Sequence, residues 1–150
     1  MTIPVGQEYM QPEIGIGKLA NYQGTQADSA VAAETILFGA PVEFSDGTAK
    51  KLTASGYVYG VAIAKEFVPE LTGDKAGSYL AKEMVPVLRK GTISVQVGED
   101  VKSGEKAVVD ISKGTFVPAS STASSKSEIV GVFKTTAQAD GLAHLEINLP

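Results

Sequence analysis

Short apolar runs separated by glycine-containing turns are the main pattern along this chain. Within Thr92–Val97 and Gly141–Leu149, apolar and polar residues alternate, which is typical of strands with one buried and one wet face. His144 lies on the wet face of the second of these strands. Asp46-Gly47 separates two further strand-like runs and is a strong hairpin signal. The pattern therefore predicts strands along most of the chain.

One small β-unit is written twice. Each copy has a turn glycine, a short apolar run, a second turn and an apolar strand that contains Gly-Val. The turn glycines, Gly39 and Gly104, are 65 residues apart, and the strand glycines, Gly60 and Gly131, are 71 residues apart. Two interpretations remain open at this stage: a duplicated unit, or turn glycines that recur by coincidence.

The fold class predicted from this pattern is all-β, as a small antiparallel β-barrel or sandwich of about seven to nine short strands. Met84–Arg89 and Thr92–Val97 are predicted as two strands around Lys90-Gly91. Pro86 cannot donate to a ladder, so the first of them is expected at an edge or at a bulge. A short helix is considered near Tyr79–Glu83.

Residues 1–33 differ from the rest because glycine, proline and glutamine interrupt their apolar positions. A frayed end and an extended arm that orders against a partner are both open interpretations. The prediction is an N-terminal arm over residues 1–33, followed by a single β-barrel or sandwich domain over residues 34–150. The predicted partner contacts are the large apolar residues of the arm: Ile3, Val5, Tyr9, Ile14, Ile16 and Tyr22.

Composition narrows the possible partners. The chain has 150 residues and a formal net charge of −4, with scattered basic residues, which argues against a nucleic-acid partner. No run of 18 apolar residues occurs, so no membrane span is predicted. The first residues lack the basic and apolar regions of a secretion signal.

Candidate chemistry is sparse. His144 is the only histidine, cysteine is absent, and no Gly-x-Ser-x-Gly motif accompanies the histidine. We therefore predict no catalytic residues, no metal site and no cofactor. Glu99 and Asp100 are adjacent and are interpreted as a solvated turn rather than a paired-carboxylate site. Tyr57 and Tyr59 share a strand face, and either packing or sugar stacking would explain them.

The order of these motifs resembles the capsid cement, or head decoration, proteins of tailed bacteriophages. The resemblance is carried, over roughly residues 35–150, by Gly39–Val42, Gly60–Ala62, Val101–Val108, Lys113–Phe116, Ile129–Phe133 and the closing strand His144–Leu149. It implies a non-enzymatic protein on the outer surface of the virion capsid that bridges neighbouring major capsid subunits. It also implies a homo-oligomer, with a trimer favoured, and no catalytic residue is carried over.

Two other classes stay open. A phage tail or baseplate structural protein would share small β-domains and arms, and self-assembly into a ring or tube would favour it. A carbohydrate-binding or adhesin β-sandwich is motivated by Tyr57 and Tyr59, and binding to glycans would favour it.

Overall fold

The computed structural model describes residues 16–54, 56–65 and 77–149. These residues form strands and no helix, which confirms the all-β prediction. The short helix considered near Tyr79–Glu83 is absent, because Ser78 and Tyr79 form a strand and a turn follows. The strands are β1 (Leu19–Ala32), β2 (Ile36–Leu37), β3 (Pro41–Ser45), β4 (Thr48–Lys51), β5 (Gly60–Ala62), β6 (Ser78–Tyr79), β7 (Met84–Gln96), β8 (Lys106–Asp110), β9 (Thr115–Pro118), β10 (Gly131–Phe133) and β11 (Leu142–Asn148).

Nine strands of the described residues form one mixed sheet in the order β1-β4-β3-β5-β7-β11-β10-β8-β9. Strand β1 also pairs with β7, and β2 and β6 form a separate two-stranded sheet. The prediction of a purely antiparallel sheet is wrong for β1 and β4, which run parallel at Ala32 and Ala49. This pair was missed because β1 comes from residues that the sequence assigns to the arm.

The strand pairings show that the repeated unit is a structural duplication. Val42 of β3 pairs with Gly60 of β5, and Ala107 of β8 pairs with Gly131 of β10. The two members of each equivalent pair are separated by the same 65 and 71 residues as the glycines of the sequence pattern. The two copies therefore agree in strand register, which a coincidental spacing of turns would not produce.

The turn before each hairpin repeats the same hydrogen bond. Gly39 N donates to Ala62 O (2.8 Å), and Gly104 N donates to Phe133 O (2.7 Å). Both glycines have positive φ angles, 73° and 95°, a conformation that other residues rarely adopt. The turn glycines of the sequence pattern are thus required by the backbone in both copies.

The long strand β7 belongs to both copies. Its first half pairs with β5 in the way that β11 pairs with β10. Its second half takes the part of β1: Val97 makes a parallel bridge with Phe116, as Ala32 does with Ala49. We call β1, β3, β4, β5 and residues 84–89 the first repeat, and residues 90–97 with β8–β11 the second repeat.

Each repeat has its own core. The first core includes Ala49, Ala62 and Val87, and the second includes their equivalents Phe116, Phe133 and Leu145. All six of these side chains are 1% exposed or less. Two packed cores joined through one shared strand are compatible with the sandwich alternative and not with one closed barrel.

The predicted boundary at residue 33 does not coincide with the edge of the sheet. Strand β1 pairs with β7 from Leu19 to Val31 and buries Ala30 and Ala32 in the first core. Register shifts occur along this pairing, which explains why no regular alternation marks β1 in the sequence. Residues 1–15 lie outside the described residues, and their role as an arm stays a prediction.

Strand β7 also corrects the expectation for Pro86. Met84–Gln96 is one continuous strand with neighbours on both sides, so Pro86 does not lie at an edge. The Pro86 carbonyl accepts a hydrogen bond from Ile63 N (2.9 Å), which is the backbone bond that proline retains. A proline is therefore tolerated in the middle of this sheet.

The predicted burial of β7 and β11 is confirmed on their apolar faces. Ile93 and Val95 are fully buried, as are their neighbours Leu145 and Ala143 on β11. The opposite face is drier than expected, since Ser94 is fully buried and His144, directly across from it, is half-buried. The wet-face assignment of His144 is therefore wrong in degree.

Candidate partner-binding surfaces

The predicted contact residues divide between described and undescribed parts of the chain. Ile3, Val5, Tyr9 and Ile14 lie outside the described residues. Tyr22 lies within β1, and its side chain is outside the description. The predicted roles of all these residues stay predictions.

Ile16 is described and is built into the domain. It is half-buried and packs against the first core. The following residue holds it in place, since Gly17 N donates to Ser94 O (2.7 Å) and Gly17 O accepts from Ala64 N (2.8 Å). The side chain of Ile16 thus supports the fold, and its predicted contact with a partner stays a prediction.

Four side chains from four strands form a stack at one end of the first repeat. The rings of Phe44 and Tyr59 are stacked, with centroids 4.5 Å apart and an interplanar angle of 21°. Arg89 covers the other side of Tyr59, with its Cζ 3.8 Å from the ring centroid, and donates a hydrogen bond to the Tyr59 carbonyl. The Tyr59 hydroxyl donates to Asp28 Oδ2. We call these residues the polar end of the first repeat.

The hydrogen bond to Asp28 is the main cause that raises the pKa of Tyr59 above its ordinary value, and burial adds to it. Tyr59 therefore keeps its proton and its donor role at neutral pH. Asp28 is exposed, and the other three side chains are half-buried. The polar end thus presents aromatic surface and both signs of charge to the solvent.

The repeat equivalence shows how unusual this polar end is. The same positions of the second repeat hold aliphatic residues that are all buried in the second core. These equivalents of Asp28, Phe44, Tyr59 and Arg89 are Ile93, Val109, Val130 and Ile147. The sequence analysis missed the polar end because its members are far apart in the chain, although an alignment of the two repeats would have revealed it.

An exposed apolar face lies on the second repeat. Ile129 is 53% exposed and Val132 is 37% exposed, and both border a shallow cleft with Lys106 and Glu146. We call Ile129, Val132 and Glu146 the outer face of the second repeat. Its apolar residues lie beside a salt bridge between Lys134 and Glu146 (3.1 Å).

Two further surfaces expose apolar side chains. Val31 and Met84, paired across β1 and β7, are 37% and 59% exposed. A cleft of about 320 Å³ lies between the two repeats and is bordered by Leu37, Lys51 and Lys113. Scattered exposed apolar residues are normal on a protein surface, so these two features alone do not identify a site.

Buried carboxylates of the described residues serve the fold. Glu43, 6% exposed, accepts hydrogen bonds from Thr53 N (3.0 Å) and Thr53 Oγ1 (2.8 Å) and pairs with Lys50 (3.0 Å). Burial alone would raise its pKa, but the Thr53 backbone bond and Lys50 bring that pKa below its ordinary value. Glu43 is therefore an ionised link between β3 and the loop after β4.

The described residues contain no group of three or more histidine, cysteine, aspartate or glutamate side chains arranged for a metal ion. His144 Nε2 is buried and lacks a hydrogen-bond partner among the described residues, as does the neighbouring Ser94 hydroxyl. No helix in the described part of the chain is long and apolar enough to cross a membrane.

Comparisons with known proteins agree with the architecture. A family model described as "Structural cement protein (E217 gp24/Pam3 gp6)" matches residues 5–148. A chain from the capsid of Myoviridae phage XM1 has a TM-score of 0.74 and 16% identity, covering 97% of this chain and 98% of that chain. The N-terminal base of the head fiber gp8.5 of bacteriophage phi29 gives 0.48 and 18%, covering 83% and 94%. A search of curated proteins found no match.

Proposed function

Because this chain belongs to the structural cement protein family and is thus a capsid decoration protein, we propose that it binds the outer surface of an assembled phage head. There it bridges neighbouring subunits of the major capsid protein and stabilises the shell. The single observation that carries this proposal is the family match over residues 5–148, which spans both repeats.

The residues fit a role in adhesion rather than in chemistry. The exposed features of the described surface are apolar pairs and one aromatic stack. The formal net charge of −4 disfavours the DNA inside a head as the partner. A clamp needs only to prefer the assembled shell over its free subunits, because such binding stabilises the shell by mass action. Many copies on one shell add avidity.

The proposed attachment segment is the N-terminal arm. Its apolar residues Ile3, Val5, Tyr9 and Ile14 stand singly among glycine, proline and glutamine, so they have no shared face to bury within the chain. Ordering a segment costs about 1–2 kcal/mol per residue in backbone entropy, which contacts with a shell surface would offset. Ile16 and Tyr22 complete the set of proposed contacts.

We further propose that the protein acts as a homo-oligomer, with a trimer favoured. Several copies joined around one point of a shell would contact several capsid subunits at once. Each additional contact then forms at a high effective concentration, so a weak single contact suffices for firm attachment.

Co-sedimentation with expanded, undecorated capsids tests the proposed function. The full chain should bind to saturation at a fixed number of copies per shell, and decorated shells should survive heating longer than bare ones. Saturable binding to glycans without binding to shells would instead favour the carbohydrate-binding alternative. Assembly into tubes or rings that do not bind shells would favour the tail alternative.

A truncation tests the arm. A chain that begins at Ile16 keeps the hydrogen bonds of Gly17 and all of β1, so it should melt within a few degrees of the full chain. It should bind shells at least about tenfold more weakly, because the proposed contacts are removed. A matched control is Thr136→Ala, which changes an exposed loop residue and should leave binding unchanged. Normal binding by the truncated chain would contradict the role of the arm.

A further inference from the structure

The junction between the two repeats is an apolar contact with a defined geometry. Val58, Val61 and Leu88 of the first repeat point away from their own core and are 3%, 0% and 0% exposed. We call them the outer face of the first repeat. They belong to the second core, in one cluster with four residues at one end of the second repeat: Ile93, Val109, Val130 and Ile147. An outer face of one repeat thus covers an end of the next.

The same two surfaces exist once more on the chain, and nothing in the described residues covers them. The outer face of the second repeat, Ile129, Val132 and Glu146, is equivalent to Val58, Val61 and Leu88. Ile129 and Val132 are 53% and 37% exposed where their equivalents are buried. The polar end of the first repeat is equivalent to the covered end of the second repeat.

We propose that the outer face of the second repeat docks on the polar end of the first repeat of another copy of this chain. The internal junction is the template for this contact, since it joins the equivalent surfaces within one chain. The proposal rests on the proposed homo-oligomer and names the surfaces that form it. The contact is head-to-tail, because two different surfaces meet at each joint.

The substitutions at the two surfaces complement each other. Glu146 stands on the outer face where the internal junction has Leu88, and Arg89 stands at the end where it has Ile147. An apolar pair of the internal junction is thus replaced by a negative and a positive charge. Lys106, beside the outer face, and Asp28, in the polar end, provide the opposite combination.

The chemistry also sets the strength of the contact. Tyrosine and arginine are enriched among the residues that dominate protein interfaces, and Tyr59 and Arg89 are already held in place by their mutual stacking. Exposed charge pairs add little free energy, so the contact is weaker than the apolar internal junction. We therefore expect reversible association in solution and fuller association on a shell, where copies are concentrated.

Thiol cross-linking tests the proposal with no background, since the chain has no cysteine. Asp28→Cys and Val132→Cys are prepared as separate full-length chains at exposed positions. A short bismaleimide should join them into dimers when the two chains are mixed and should join neither with itself. Dimers of Val132→Cys alone, with none in the mixture, would show a two-fold contact and overturn the proposal.

Two controls sharpen the result. Gln138→Cys, on an exposed loop of the second repeat, should give no cross-link with Asp28→Cys. Adding Glu146→Arg to the Val132→Cys chain should lower the yield of mixed dimers about tenfold, because a positive charge would then face Arg89. An unchanged yield with Glu146→Arg would overturn the proposed docking geometry.

The same mixture on capsids separates this proposal from the proposed function. Shell binding without mixed cross-links, in solution or on shells, would overturn the head-to-tail contact and leave the decoration role intact. Mixed cross-links in solution without shell binding would support the contact and contradict the proposed attachment to shells.

Discussion

The two repeats share a strand register but fill their cores from different sources. The second repeat places Phe116 and Phe133 where the first has Ala49 and Ala62. The first repeat recovers volume from outside the duplicated strands. Its core includes Ile36, Phe38 and Tyr79 around the β2–β6 sheet, with the two rings edge to face at 5.2 Å. Backbone pairing is thus conserved between the copies, whereas core volume is exchangeable between elements.

The largest effect should come from exchanging core residues. Phe116→Ala should lower the free energy of unfolding by about 3–5 kcal/mol, because the second repeat has no added strands to fill the cavity. Ala49→Phe, the reciprocal change, should cost about 1–3 kcal/mol, because Phe38 and Tyr79 already occupy the first core. Chemical denaturation measures both. A neutral Ala49→Phe would show that the first core is not filled in this way.

Two matched glycines test the shared register. A Cβ added at Gly60 or Gly131 would collide with the carbonyl oxygen of Leu88 or Glu146 on the neighbouring strand. Gly60→Ala and Gly131→Ala should therefore each lower stability by about 1–3 kcal/mol. Val132→Ala, beside Gly131 but exposed, is the control and should cost about 0.5 kcal/mol or less. A large difference between the glycine variants would break the equivalence of the repeats.

An alkaline titration should detect only the first repeat, which contains Tyr79. Burial, and then the charge of Glu83, raise the pKa of Tyr79 to about 12. Because the folded pKa lies above the unfolded value, Tyr79 stabilises the fold fully below about pH 10 and loses this contribution as pH rises toward 12. Unfolding between pH 9 and 12 should show a loss of about 1–2 kcal/mol that Tyr79→Phe removes. An unchanged pH profile in Tyr79→Phe would contradict this assignment.

A matched pair of serines should give the smallest effect. Ser94 is fully buried, and its hydroxyl has no hydrogen-bond partner among the described residues, whereas its equivalent Ser29 is exposed. Ser94→Ala should therefore raise stability by up to about 1 kcal/mol, and Ser29→Ala should change it by about 0.5 kcal/mol or less. Thermal melts of the two variants measure the difference. A destabilised Ser94→Ala would show that its hydroxyl is bonded in solution.

Much of the fold could be predicted from local patterns. The alternation in Thr92–Val97 and the repeated glycines identify strands and turns, because a strand has a period of two and a left-handed turn needs glycine. Strand β1 was missed because bulges break its alternation and its partners are distant in the chain. Pro86 misled because the position of a strand within a sheet depends on neighbours that sequence does not reveal.

Surfaces were harder to predict than strands. The polar end brings Asp28, Phe44, Tyr59 and Arg89 together from four strands, and no local pattern connects them. The predicted contact residue Ile16 proved to be packed against the first core. A contact surface depends on which side chains remain uncovered after folding, and that is decided by tertiary packing.

The most direct test of the decoration role is cryo-electron microscopy of expanded capsids with and without this protein. We predict added density on the outer surface at the joints between major capsid subunits, with both repeats recognisable in each copy. Capsids that show no added density at saturating protein, or density confined to the tail, would contradict the account.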